Sequence, residues 1–211
     1  MINNLLRYKK DQKYIVFDYE TEGLNLYYSK PFQLSFVIAQ NKKIIKKVDN
    51  YISWPNFKIS DEAAKVTKFN ANVYNNLKKD AKEVLKEFDR YLYDPEYMVV
   101  GHNIANYDVY IHNTHRRLTG QATDYSYMDR ILDTNCLAKS YKCDIPKDVN
   151  DSLLQWQQKL ISFRKKGVKT NQAAMLKEFN IDFDPDKLHN SLYDVEKNAE
   201  MFFQLLWKVE V

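Results

Sequence analysis

Ile15-Val16-Phe17 runs straight into two carboxylates, Asp18 and Glu20, one residue apart, with Gly23 and Leu24 close behind. Residues two apart on a strand point to the same side, so both acids can face one ion. Two acids at the end of an apolar strand call for something positive between them. Two further segments repeat the theme. In Gly101-His102-Asn103-Ile104-Ala105-Asn106-Tyr107-Asp108 a strand ends at the glycine, and Asp108 falls in the first turn of the next helix. In His189-Asn190-Ser191-Leu192-Tyr193-Asp194 the histidine precedes a helix, Ser191 is its expected cap, and Asp194 falls in its first turn.

Four carboxylates at one site repel one another and need cations. Hard oxygen ligands without a cysteine partner suit Mg²⁺ or Mn²⁺ better than zinc. Two such ions about 3.5–4 Å apart can activate a water and stabilise a leaving oxygen in phosphodiester hydrolysis. A neutral histidine nearby can take the proton from that water, since an unperturbed imidazole titrates near 6.5. Taken singly, Asp108 and Asp194 read equally well as helix N-terminal acids favoured by the dipole. Asp18 and Glu20 alone could be a solvated strand-end pair. The three segments together carry the catalytic reading.

The elements that must position these residues are legible from hydrophobic spacing. Lys13 to Asp18 is apolar at nearly every position, which predicts a central strand covered on both faces. Phe32, Leu34, Phe36 and Ile38 alternate as a second strand, and Ile44 to Ile52, with its polar middle, reads as an edge strand. Met98 to Gly101 and Ile131 to Asp133 are two short strands. Helices are predicted after Ser60, over Ala81 to Tyr93, over Asn106 to Leu118, over Ala173 to Phe179 and over Ser191 to Trp207. In the second-motif helix the expected inner stripe includes Tyr107, Tyr110 and Ile111, which leaves His112 and His115 on the surface. Lys142 to Lys169 reads as a helical, basic segment, with Leu153, Trp156, Leu160 and Phe163 at helical spacing ahead of Arg164-Lys165-Lys166. That basic run is either a solvated face or a guide for a polyanion. Tyr27, Tyr28 and Phe32 either stack on bases or fill the core. Gln33-Leu34-Ser35-Phe36 superficially resembles a sliding-clamp-binding peptide, but its place in a strand predicts core packing.

With 211 residues, 45% of them hydrophobic, the chain is expected to form one domain, 1–211, with a full core. A net charge of +4 permits a polyanionic partner without demonstrating one. Four glycines, none closely spaced, exclude a P-loop and a dinucleotide-binding loop. Cys136 and Cys143 have neither metal nor disulfide spacing, so they read as packed intracellular thiols. The polar stretch Met1 to Lys13 lacks the apolar core of a signal peptide, and no stretch approaches the ~20 apolar residues of a membrane span. A cytoplasmic protein with no membrane partner is expected.

These motifs, in this order, resemble the DEDDh branch of the DnaQ-like 3′–5′ exonucleases of the RNase H-like superfamily. Phe17 to Leu24 resembles the family's FDxETTGL motif, Gly101 to Asp108 its second motif, and His189 to Asp194 its HxxxxD motif. Ile131 to Thr134 is similar to its Asp-Thr element, and Ile59 to Val73 to its segment between the first two motifs. The resemblance implies an α/β, RNase H-like fold with a five-stranded mixed sheet flanked by helices on both faces. It implies two ions, Mg²⁺ or Mn²⁺, held by Asp18, Glu20, Asp108 and Asp194, with Asp18 bridging both and Asp108 acting partly through water. His189 falls on the general base. Thr21, Glu22, Gly23, Leu24, Asn103 and Tyr107 fall on the substrate side, with Leu24 wedged against the terminal base. Two departures stand out: Glu22 replaces a threonine, and the second motif holds one residue more than HNxxFD.

What the resemblance implies for function is hydrolysis from a 3′ end, releasing nucleoside 5′-monophosphates, with single-stranded DNA preferred and RNA or short oligoribonucleotides as the alternative. A non-catalytic nucleic-acid-binding module and a polymerase-docked proofreading or replication subunit are the competing readings. All five site residues are present, which favours an enzyme, and a chain ending at Val211 without a docking tail is expected to act free-standing.

Overall fold

In the computed structural model, residues 5–211 are described. The first residues of the polar N-terminal stretch, 1–4, lie outside them. One mixed sheet organises the chain. Its strands are β1 (Lys13–Thr21), β2 (Pro31–Gln40), β3 (Lys43–Ser53), β4 (Lys79–Asp80), β5 (Tyr97–Gly101) and β6 (Ile131–Asp133), in the order β4-β3-β2-β1-β5-β6. The hairpin β1-β2-β3 is antiparallel, and β5 joins β1 in parallel and carries β6 in parallel. Among the described residues six strands stand where five were expected. The extra one is the two-residue β4, which pairs in parallel with the end of β3 and is too short to show a period-2 pattern.

Among the described residues eight α-helices cover the sheet: α1 (Asp61–Val66), α2 (Ala71–Leu77), α3 (Ala81–Leu92), α4 (Asp108–Leu118), α5 (Thr134–Cys143), α6 (Leu153–Ile161), α7 (Gln172–Glu178) and α8 (Ser191–Leu205). The central strand feeds two cores. Ile15, Phe17 and Tyr19 enter a layer with Val84, Phe88 and Leu92 of α3 and Val109 and Ile111 of α4. Tyr14 and Val16 enter the opposite layer with Leu137 of α5, Trp156 of α6, Met175 of α7 and Val195 and Phe202 of α8. Alternation along the strand therefore sends Asp18 and Glu20 to the α8 side.

Three local expectations change. The helix predicted from Asn106 breaks at Tyr107 (φ −138°), so Ile104–Asn106 is a separate 3₁₀ turn and Asp108 opens α4. Within α4, Tyr110 is outside, 41% exposed, whereas His112 and His115 are fully buried. Burial is tolerated because each imidazole has two partners: His112 lies 2.9 Å from the Asp89 carboxylate and 3.0 Å from the Tyr127 hydroxyl. His115 lies 2.8 Å from the Ala81 carbonyl and 3.3 Å from the Tyr19 hydroxyl. Burial pushes the His115 imidazole down to about 3 and lowers that of His112. Residues 142–169 are helical only at the end of α5 and over α6, where Ser152 and Gln155 form a capping box; Arg164-Lys165-Lys166 sit exposed in the turn beyond. Gln33 to Phe36 is buried within β2, as core packing requires.

Gly101 is where β5 passes β1. A Cβ there would stand 2.0 Å from Ile104 Cγ2 and 2.9 Å from the Phe17 carbonyl oxygen. The backbone oxygen cannot yield without moving the strand that carries Asp18. Gly101→Ala is expected to cost about 1–3 kcal/mol or more through overpacking, which a thermal melt would register at about 2–4 °C per kcal/mol. An unchanged melting temperature would show that the turn after β5 relaxes freely.

Candidate active site

Three elements meet at the C-terminal end of β1. Asp18 and Glu20 come from the strand itself. Asp108, 3% exposed, comes from the start of α4, and its Oδ1 accepts the Tyr19 backbone N–H at 2.9 Å, which locks the helix onto the strand between the two acids. Asp194 comes from the first turn of α8. Asn190, not Ser191, caps that helix by accepting the Tyr193 N–H at 3.1 Å. Ser191 is the first helical residue, fully buried, and its hydroxyl donates to the Asp18 carbonyl at 3.2 Å, tying α8 to β1.

The electrostatics record the convergence. Burial, then the charges of Asp108, Glu20 and Asp194, hold the Asp18 carboxyl well above the usual range. Glu20 is pushed up to about 8 by burial and by Asp194 and Asp108. Burial raises Asp108 to about 7 and Asp194 to about 6. Among the described residues no three His, Cys, Asp or Glu side chains already stand in the geometry of a bound ion. The donor set nevertheless fits hard divalent cations, being four carboxylates on three elements with no sulfur. Asp194 supplies the sharpest sign: Oδ2 accepts the His189 N–H at 2.8 Å, while Oδ1 is buried with no partner. A buried carboxylate oxygen left unpaired is costly, and a cation would satisfy it.

These raised values fix a sign. A carboxyl whose folded pKa exceeds its unfolded value leaves the folded state binding more protons, so stability falls as pH rises through the folded pKa. Below about pH 6.5 the buried histidines, whose pKa values are lowered, act in the opposite sense. The carboxylate effect is therefore isolated above that. In EDTA the melting temperature is expected to fall between pH 6.5 and 8.5, and added Mg²⁺ or Mn²⁺ to raise it most at the upper end. A flat curve in EDTA would contradict a charged cluster.

His189 sits just outside α8 with left-handed backbone (φ 66°), exposed, its N–H anchored on Asp194. It lines a groove with Lys68, Asn190 and Tyr193. Lys68 clamps its loop: the ammonium donates to the Leu188 carbonyl at 2.7 Å and to that of Asp186. Nothing in the spacing of the sequence singled out Lys68, because its targets are carbonyls 118 and 120 residues away.

Of the residues expected on the substrate side, Thr21, Gly23 and Tyr107 form a connected rim. Thr21 and Tyr107 are joined through their hydroxyls at 2.6 Å, and the Tyr107 hydroxyl donates to the Gly23 carbonyl at 3.1 Å. Beside Glu20 they open onto a cleft of about 530 Å³ that Leu24, Ala63 and Val66 line on the apolar side. Leu24 is 88% exposed at its lip. Glu22 does not add a fifth acid to the cluster. Its Oε1 accepts the Lys30 N–H at 3.1 Å while its own N–H donates to the Lys30 carbonyl at 3.1 Å, closing the loop 22–30. Asn103 is left-handed (φ 63°), with its N–H donating to Asp133 Oδ1 at 2.9 Å. Asp133, 1% exposed, also accepts the N–H groups of Ala105 and Asn135, so it shapes the second-motif loop from behind. Gln157 of α6 completes that support by accepting the Asp133 N–H at 2.7 Å.

The exonuclease family profile matches residues 15–202, spanning all three motifs. The chain belongs to the exonuclease family. By family and fold it groups with the DnaQ-like exonucleases of the RNase H-like superfamily. Over 206 residues it is 27% identical to the PolC-type DNA polymerase III of Staphylococcus aureus, covering 95% of this chain but 12% of the polymerase. With the PolC-type polymerase of Pediococcus pentosaceus it shares 31% identity over 105 residues, half of this chain and 7% of the relative. The chain thus spans a small part of the curated relatives it matches. Among solved structures, Escherichia coli exonuclease I in complex with a dA16 oligonucleotide superimposes with a TM-score of 0.72 at 12% identity, over 94% of this chain and 41% of that one. The complex of exonuclease I with SSB-Ct gives 0.70 at 11% identity, over 94% and 42%. The shared fold confirms an α/β mixed sheet flanked by helices. Among the described residues no helix is long and apolar enough to cross a membrane.

Proposed function

We propose that residues 1–211 act as one 3′–5′ exonuclease domain that uses two divalent ions to release nucleoside 5′-monophosphates from single-stranded DNA. The observation that carries this reading is that β1, α4 and α8 bring Asp18, Glu20, Asp108 and Asp194 close enough for the charges of the other three to raise Asp18, with a buried Asp194 oxygen left unpartnered. These four residues would hold Mg²⁺ or Mn²⁺, which when bound supply charge neutralisation and an activated water. His189, whose backbone N–H is held by Asp194, takes the water's proton as general base. Thr21, Gly23 and Tyr107 fix the rim on which the terminal nucleotide rests, and Leu24 at its lip packs against the terminal base. Asn103 lies toward the sugar-phosphate side. The alignment with PolC-type polymerases over 95% of the chain favours a replicative polymerase as partner, in a proofreading setting. Oligonucleotide-bound exonuclease I as a structural neighbour supports DNA over RNA.

The test is degradation of 5′-labelled single-stranded DNA, duplex DNA and RNA in Mg²⁺, Mn²⁺ or EDTA. Stepwise shortening from the 3′ end is expected, fastest on single-stranded DNA and abolished by EDTA. Internal cuts in a circular single strand would sink the reading; faster removal of RNA would reassign the substrate.

A further inference from the structure

The loop between β1 and β2 presents large apolar side chains to solvent. Tyr27 is 56% exposed and Tyr28 69%, whereas Phe32, four residues on, is buried at 1%. Tyrosine rings are left outside at a cost in burial, yet this loop is tightly built. Asn25 Oδ1 accepts the N–H groups of both Tyr27 and Tyr28 at 3.0 Å, and the Ser29 hydroxyl accepts the Asn25 N–H at 3.0 Å. Glu22 closes its base on Lys30. Thr114 of α4 donates to the Leu26 carbonyl at 2.6 Å. Arg117, one α4 turn further, donates to the Tyr27 carbonyl and lays its guanidinium 3.9 Å from the centre of the Tyr27 ring. The two tyrosine rings meet edge to face at 4.9 Å.

The position of this rigid pair relative to the cleft decides its use. Leu24, at the other end of the same loop, borders the cleft beside Glu20. Asp108 opens α4 and Arg117 lies nine residues on, about 14 Å along the helix axis at 1.5 Å per residue. The loop therefore leads away from the carboxylates over a length of about four stacked nucleotides at 3.4 Å each. Aromatic faces beside a cation accept unpaired bases of any sequence, because every base has a π-face. Rings fixed in advance lose little freedom on binding. A paired base cannot lie on them.

Resting on the reading of this site as a 3′ exonuclease, we propose that Tyr27, Tyr28 and Arg117 form a stacking platform for the unpaired nucleotides upstream of the scissile bond. The platform selects single strands several nucleotides long over short fragments and paired ends.

Two substrates separate the platform from the cleft: 5′-fluorescein-dT12, which reaches both, and the p-nitrophenyl ester of thymidine 5′-monophosphate, which fills only the cleft. The double change Tyr27→Ala/Tyr28→Ala is expected to raise KM for dT12 by about tenfold or more, since stacking is worth about 1–3 kcal/mol per base. Selectivity for dT12 over the ester should fall by the same factor. Tyr28→Ala alone, which leaves the Arg117–Tyr27 contact in place, should give a smaller shift in the same direction. Fluorescence anisotropy with labelled dT12 in EDTA should show Kd rising in parallel. Equal losses on dT12 and ester, or unchanged anisotropy, would overturn the platform. Failure of the wild-type protein to cleave either substrate would instead remove the exonuclease reading, with the anisotropy still deciding whether the platform binds single strands.

Discussion

Asp18→Asn is expected to cut 3′-end hydrolysis by about 10³-fold or more while leaving the fold intact. The charges of Asp108, Glu20 and Asp194 all act on Asp18. Removing it takes away the central member of the proposed metal-holding set. A metal ion contributes several kcal/mol of charge stabilisation, and each 1.36 kcal/mol is tenfold in rate. The amide keeps the size of the side chain, so packing against Ser191 and β1 should survive. Stability is expected to move the other way. Deleting one of four crowded negative charges should raise the melting temperature in EDTA at pH 8, and flatten the decline between pH 6.5 and 8.5 described above. Single-turnover decay of a 5′-labelled strand and a pair of melts decide both halves. Residual cleavage within tenfold of wild type would remove Asp18 from the centre of the site.

His189→Asn is expected to lower the rate by about 10²–10⁴-fold, the span of a general base. Asparagine suits this position because it tolerates left-handed backbone, which alanine resists. Any loss then reports on the imidazole rather than on the φ of 66°. Added imidazole should restore part of the rate. Lys68→Met tests the same loop from its anchor. Without the ammonium, the Asp186 and Leu188 carbonyls lose their common donor. Misplacement of a base by about an ångström costs up to about 10²-fold, so kcat should drop with little change in KM. A Lys68→Met enzyme with normal kcat would show that the Asn190 cap and the Asp194 tether alone hold His189 in place.

The motifs, their order and the candidate acids were readable along the chain, because strand and helix periodicities are local. The apolar run ending in Asp18 and Glu20 predicted the central strand and put both acids on one side of it. Asp108 and Asp194 were readable as first-turn residues because helix starts carry local signals. What the chain order could not supply was the partner of each group. Glu22 stood out only as the replacement of a threonine, and the fold turned it onto the Lys30 amide. His112 and His115 looked like surface residues on polarity alone, whereas tertiary partners on α3, β1 and the segment before β6 make their burial affordable. The basic 142–169 stretch hid its contribution, since Gln157 matters only through a backbone amide 24 residues away. Lys68 and the exposure of Tyr27 and Tyr28 were equally invisible. By itself the sequence determined the chemistry available: four carboxylates that could serve as hard oxygen ligands, one histidine and a strand–helix frame to carry them. Only the tertiary structure decided which carboxylates crowd together, which atom is left unpartnered, and which aromatic rings stay outside the core, because burial and long-range hydrogen bonds are properties of the packed chain rather than of neighbours in sequence.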